Sequence, residues 1–149
     1  FDCEKKEYEY VIEATKIPSP FYYKRAMNYK YNVDVELMNR AAKHFIGTFD
    51  FSAFCASGAT VQTKVRKIYS ASVRRENDLV IFTVRGNGFL YNMVRIMAGT
   101  LLYVAEGKIK CDDIIEIIKS GDRKNAGITA IPDGLYLNKV FYGSEKNED

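Results

Sequence analysis

An arginine lies near the middle of the most apolar stretch of the chain, which runs from Phe89 to Leu102. Apolar residues recur there at helical spacing in two adjoining rows, so we predict a largely buried helix. Arg95 keeps its charge at neutral pH, and burying that charge without a partner would be costly. The residues one or two helical turns away on the same face include no acid: Tyr91, Asn92, Gly99 and Leu102. Arg95 therefore needs an anion from elsewhere in the fold, from another domain or from a ligand, or a route to water.

Length and composition fit one globular domain, with 149 residues of which 47% are hydrophobic and 28% charged. The net charge of +3 permits nucleic-acid binding without requiring it, because the clustering of charges matters more than their sum. Cys3, Cys55, Cys111 and His44 show no metal-ligand spacing. We expect neither a zinc site nor a disulfide framework, and this cysteine usage fits a reducing cytoplasm. The apolar run is too short for a membrane helix.

Hydrophobic periodicity and turn residues predict the order strand, helix, hairpin, helix, helix, strand. The predicted strands are Glu7 to Glu13, Lys64 to Arg75, Leu79 to Arg85 and Leu135 to Tyr142. The predicted helices are Val35 to Ile46 capped by Asp34, the Arg95 helix ending at Gly107, and Cys111 to Lys119. Thr15 to Asn32 is expected to be irregular, and Asp50 to Phe54 a helical turn. This order indicates an α+β fold with a mostly antiparallel sheet and helices packed on one side.

Four short segments follow one another along the chain: KEYEY from Lys6, GTFDFSAF from Gly47, GNGFLYNMVRIMAGTL from Gly86 and TAIPDGLYL from Thr129. Together they resemble the tRNA pseudouridine synthase A family. The resemblance runs from Phe1 to Tyr142 but covers only the family's C-terminal half. It implies a C-terminal domain over residues 1–143, followed by a polar tail at residues 144–149. Because the chain begins at Phe1 close to a strand-like segment, we interpret it as a piece of a longer protein.

The family's nucleophile is an aspartate in a motif resembling Gly-Arg-Thr-Asp-x-Gly-Val-His, which lies in the N-terminal half. No such stretch occurs in this sequence. The resemblance therefore implies an active-site wall without its central acid. We expect the isolated chain to be catalytically inactive and the full-length protein to be an isomerase.

The resemblance assigns catalytic roles to Tyr8 and Arg95. It implies that Tyr8 stacks on the target base and takes the proton from C5, and that Arg95 forms a salt bridge with the missing aspartate. A phenol beside a cation can be biased toward phenolate. From the residues alone, Tyr8 could instead pack with Tyr10 under the sheet, and Arg95 could reach a carbonyl or the surface.

Four further residues are candidates for contact with the substrate. Phe89 and Leu90 would form an apolar floor beside a flipped base, although packing against the hairpin is an equal alternative. Asn92 could hydrogen-bond a base or cap the helix, and Leu135 would line the pocket. Asn87 is assigned to helix capping instead.

Basic clusters supply candidate contacts to the RNA backbone: Lys24, Arg25, Lys64, Arg66 and Lys67. If they converge on one surface, they would form a phosphate track whose binding weakens with salt. A charge cluster is more often a solvated face, which is the alternative.

For the full-length protein, the resemblance implies isomerisation of uridine to pseudouridine in the anticodon stem-loop of tRNA. It also implies a homodimer, a cytoplasmic location and no metal or organic cofactor. Two alternatives remain. One is a non-catalytic RNA-binding module, since tyrosines on an antiparallel sheet can stack on unpaired bases. The other is a dimerisation domain in which Arg95 pairs across an interface.

Overall fold

The computed structural model describes residues 4–141 of the chain. Six strands form one sheet, and three helices complete the α+β fold that the sequence predicts. The strands are β1 Lys5–Glu13, β2 Met27–Asn28, β3 Gly47–Asp50, β4 Val65–Glu76, β5 Leu79–Gly86 and β6 Leu135–Phe141. The helices are α1 Val35–Lys43, α2 Met93–Ala105 and α3 Asp113–Ser120.

Strand β1 connects the two parts of the sheet. β5 pairs with it along one edge, and β6 and the two-residue β2 share the other edge. β4 and then β3 continue the sheet beyond β5. All of these pairings are antiparallel except that of β1 with β2, which confirms the mostly antiparallel sheet.

Side chains alternate across the sheet, so it has one apolar and one polar face. Tyr10 and Ile12 on β1 and Phe82 on β5 are buried in the core that the helices cover. α1 packs on β4 and α2, and α2 contacts β1. Glu7 and Arg85 form an ion pair on the opposite face. The apolar face of β1 therefore points toward the helix that carries Arg95.

Helix α2 begins at Met93, so the prediction that it starts near Phe89 is wrong. Asn92 has a left-handed backbone with φ 61°, which no α-helix continues, and the residues before it form a turn. Asn87 does not cap the helix, because its side chain accepts a hydrogen bond from the Lys67 amide of β4 at 2.9 Å. Across residues 4–141, no helix has both the length and the apolarity that crossing a membrane would take.

The remaining boundaries shift by a few residues. Asp34 caps α1 as predicted, but the helix ends at Lys43 rather than Ile46. Gly47 then opens β3, which the sequence did not predict. A single turn at Ser52–Phe54 agrees with the expected helical turn. The last predicted strand is described only to Phe141, and the predicted tail lies outside the described residues.

Candidate active site

A small cavity lies where β1, the turn before α2 and the start of β6 meet. Its volume is about 120 Å³, and its walls are Tyr8, Phe89, Leu90, Asn92, Met93, Val94, Arg95 and Leu135. The fold thus brings together both predicted catalytic residues and all four predicted substrate contacts. Their roles remain predictions. Because these residues are spread along the chain from β1 to β6, their meeting in one cavity supports the prediction that they form one site.

Neutral groups hold the guanidinium of Arg95. Its Nε donates a hydrogen bond to the Ala130 carbonyl at 2.6 Å, and one terminal nitrogen donates to Asn92 Oδ1 at 3.1 Å. The Ala130 amide donates in return to the Arg95 carbonyl at 3.1 Å. No carboxylate within residues 4–141 forms an ion pair with Arg95. Its charge therefore remains available to an anion from a ligand or from another part of the protein.

The loop that carries Ala130 is fixed by close packing on α2. The Gly127 amide donates to Thr100 Oγ1 at 2.8 Å. A Cβ on Gly99 would lie only 1.8 Å from the Ile128 carbonyl oxygen, so the approach requires a residue without a side chain. This contact sets the position of the carbonyl that orients Arg95.

Tyr8 and Tyr10 share one face of β1 but have different surroundings. Tyr8 is partly exposed, and its ring meets Phe89 edge to face with centroids 5.1 Å apart. Tyr10 is fully buried, and its hydroxyl donates to the Ile131 carbonyl at 2.6 Å. Burial raises the pKa of Tyr10 well above its usual range, although the nearby charge of Arg95 acts in the opposite direction. Tyr10 therefore stays neutral in the core, whereas Tyr8 packs against that core and also lines the cavity.

The other walls combine apolar surface with one amide. Leu90 is buried and Phe89 partly buried, so they supply the apolar side. Asn92 directs its carbonyl oxygen at Arg95, which makes it a positioning group for the guanidinium. Leu135 opens β6 beside Tyr10, its strand partner on β1.

Sequence reasoning missed three contributors to this region. Met93 and Val94 line the cavity, and their place in the apolar stripe was a usable signal. Ala130 contributes only its backbone carbonyl, for which no residue type gives a signal.

The predicted RNA-backbone residues fall into two groups. The side chain of Arg66 lies beside Gly88, and the backbone of Lys67 bonds to Asn87, so both flank the segment that leads into the cavity. Lys64 comes just before β4, where its carbonyl accepts a hydrogen bond from the Phe51 amide at 2.9 Å. Lys24 and Arg25 are exposed on the segment before β2, where the Arg25 carbonyl accepts a hydrogen bond from Tyr136 at 2.6 Å. No contact between the two groups unites them into one track.

The second group belongs to an aromatic and basic segment, residues 17–31, in which the sequence analysis identified Lys24 and Arg25 but not the exposed aromatic rings. Phe21, Tyr23 and Tyr31 are 65%, 73% and 62% exposed. Each ring has a cation over it: Arg25 over Phe21, Lys24 over Tyr23 and Lys30 over Tyr31. Exposed aromatic rings beside cations can stack on unpaired bases and contact phosphates.

Comparison with known proteins identifies the family. A family model described as tRNA pseudouridine synthase matches residues 41–143, which include the cavity residues from Phe89 to Leu135. Proteins named tRNA pseudouridine synthase A are 46% identical in Acetivibrio thermocellus, 45% in Bacillus subtilis and 45% in Listeria monocytogenes. Each comparison covers 95% of this chain but only 58% of the relative's length. The chain therefore belongs to the tRNA pseudouridine synthase family.

Proposed function

We propose that this chain is the C-terminal domain, residues 1–143, of an enzyme that isomerises uridine to pseudouridine in the anticodon stem-loop of tRNA. The names of the relatives and the share of their length that this chain spans support this proposal. The main structural support for this proposal is the environment of the Arg95 guanidinium. Its guanidinium lies at a cavity beside Tyr8, held by neutral groups and without an acid from residues 4–141.

The reaction exchanges one bond to the ribose for another. The bond from C1′ to N1 of uracil breaks, the base turns, and C1′ joins C5. C5 then loses its proton and N1 gains one, so no atoms are added and the reaction needs no cofactor. A uridine inside a stem must first be flipped out of the stack to reach the enzyme.

In this proposal, an aspartate from an N-terminal domain outside this chain attacks or stabilises the ribose or the base. Arg95 pairs with that aspartate, and the opposite charge keeps the carboxylate ionised. Tyr8 stacks on the base and accepts or relays the C5 proton. The edge-to-face contact with Phe89 holds the Tyr8 ring in place.

The size of the cavity supports a shared site. Complete pockets for small ligands hold about 300–1,000 Å³. The cavity here holds about 120 Å³, which fits one wall of a site that a second domain and the RNA complete.

The basic groups and the aromatic and basic segment provide candidate contacts for tRNA. We propose that Lys24 and Arg25 bind phosphates while neighbouring rings stack on unpaired bases of the loop. Lys64, Arg66 and Lys67 would bind phosphates nearer the cavity. The affinity for tRNA should then fall as the salt concentration rises, since phosphate contacts release counterions. As the resemblance implies, we propose a cytoplasmic homodimer.

The test uses the full-length protein and unmodified tRNA. Wild type, Arg95→Ala and the surface control Arg75→Ala are compared, with pseudouridine mapped in the anticodon arm and tRNA affinity measured for each. We expect wild type and Arg75→Ala to modify that arm, and Arg95→Ala to bind tRNA without modifying it. If wild type binds tRNA but forms no pseudouridine, the alternative of a non-catalytic RNA-binding module replaces this proposal.

A further inference from the structure

Three potential metal ligands meet near the junction of α1 and α3, and none of them lines the cavity. His44 caps the C-terminal end of α1, and Cys111 and Asp112 precede α3. One ligand atom from each side chain lies within 4.8 Å of the other two. We infer that His44, Cys111 and Asp112 form a binding site for a divalent transition-metal ion such as zinc. This inference rests on geometry and ligand chemistry and is independent of the proposed function.

The separations fit a metal site after a small adjustment. A tetrahedral zinc ion with nitrogen and oxygen ligands at about 2.0–2.1 Å holds those atoms about 3.3 Å apart. His44 Nε2 and Asp112 Oδ1 are 3.3 Å apart. A sulfur ligand at about 2.3 Å would stand about 3.6 Å from either, so the distances from the Cys111 sulfur would have to shorten by up to about 1.2 Å.

The chemistry of the ligand set favours zinc-like ions over magnesium or calcium. Imidazole and thiolate suit zinc and cobalt, whereas magnesium and calcium prefer sites made only of oxygen. The C-terminal end of α1 adds negative partial charge beside His44. The Asp112 side chain is 93% exposed, so the ion has access to the site and a water molecule can complete its coordination.

Two local effects limit the affinity. Burial, with a smaller contribution from Asp112, raises the pKa of the Cys111 thiol, so the metal must displace a proton to bind. The Arg40 guanidinium, which favours the thiolate, also repels a cation. Linear spacing could not reveal this site, because its ligands come from two segments far apart in the chain.

The experiment uses the full-length protein and cobalt(II) as a spectroscopic probe. Wild type should show a thiolate-to-cobalt charge-transfer band, together with the visible bands of tetrahedral cobalt. Cys111→Ser should abolish the charge-transfer band, and Cys55→Ser, which removes a buried thiol elsewhere, should keep it. Circular dichroism without metal establishes that each variant is folded.

Zinc binding by equilibrium dialysis provides the second measurement. We expect the zinc affinity to fall at least about tenfold in His44→Gln and in Asp112→Asn, since each substitution removes a group that bonds the metal directly. An unchanged cobalt spectrum in Cys111→Ser, or equal zinc affinity in wild type and His44→Gln, would overturn the inference.

Discussion

Arg85 and Arg95 are ten residues apart and lie in opposite environments. Arg85, on the polar face of the sheet, pairs with Glu7 at 3.0 Å and stacks on the Phe141 ring. Arg95 faces a cavity and bonds to a carbonyl and an amide. The first arginine has its counter-charge within the described fold, while the second has none there.

Arg85 is a structural charge that is already paired, whereas Arg95 is a charge that can still bind an anion. A partly buried ion pair is satisfied in place, and removing one member leaves the other uncompensated. A guanidinium held by neutral acceptors is oriented, but its charge is not neutralised, so it can still bind a carboxylate through bidentate hydrogen bonds. Strand β1 serves both regions, because Glu7 faces one side of the sheet and Tyr8 the other.

The largest expected effect concerns the two arginines themselves. In the full-length enzyme, Arg95→Lys should slow pseudouridine formation by about 100-fold or more, because lysine cannot bond Ala130 and a carboxylate in the same forked geometry. Arg85→Lys should leave the rate close to wild type. Single-turnover rates on an unmodified anticodon stem-loop check this, and equal losses in both variants would break the distinction.

The two tyrosines of β1 extend the comparison. Tyr8→Phe should lower the rate by about 100-fold if its hydroxyl transfers the proton. Tyr10→Phe should leave the rate nearly unchanged but lower the free energy of unfolding by about 1 kcal/mol, because the Ile131 carbonyl loses its donor. The same kinetic assay and urea denaturation separate the two outcomes. A larger rate loss in Tyr10→Phe than in Tyr8→Phe would show that Tyr8 is not the tyrosine that transfers the proton.

Packing behind Arg95 should matter for stability. Gly99→Ala forces the loop at Ile128 away from α2 and should lower the free energy of unfolding by about 2–3 kcal/mol. Gly88→Ala is the matched control, since its added carbon would meet only the Arg66 side chain, at 3.5 Å. Urea denaturation of the full-length protein measures both variants, and similar midpoints would mean that the loop adapts freely.

On the polar face we expect a smaller loss of stability than in Gly99→Ala. Glu7→Gln weakens the contact with Arg85 and should reduce stability by about 1–2 kcal/mol, with no change in rate. Stability is again measured by urea denaturation. A loss of activity with intact stability would show that the polar face takes part in the reaction.

Much of the fold could be predicted where side-chain patterns carry the information. The apolar stripe around Arg95 predicted its helix, Asp34 predicted the start of α1, and the hairpin between β4 and β5 followed from two strands and a short turn. These features depend on periodicity and capping, which are local properties of the sequence. The four-residue β3, mostly exposed, has no such alternation and was missed.

The parts of the site that escaped prediction depend on the backbone. Asn92 stops the helical path through its left-handed conformation, although the apolar pattern continues before it. The Ala130 carbonyl orients Arg95 through a loop whose approach to α2 only the folded chain reveals. The resemblance to a family supplied the predicted roles of Tyr8 and Arg95, and the fold shows that both residues line one cavity.

The most direct test is a crystal structure of the full-length protein, in which the distance from the Arg95 guanidinium to the nearest carboxylate is measured. We predict an aspartate from outside residues 4–141 within about 4 Å of that guanidinium, beside Tyr8. Arg95 should keep its hydrogen bonds to Ala130 and Asn92. If instead no carboxylate approaches Arg95 and the aspartate pairs elsewhere, Arg95 is a structural residue and the account of the site is wrong.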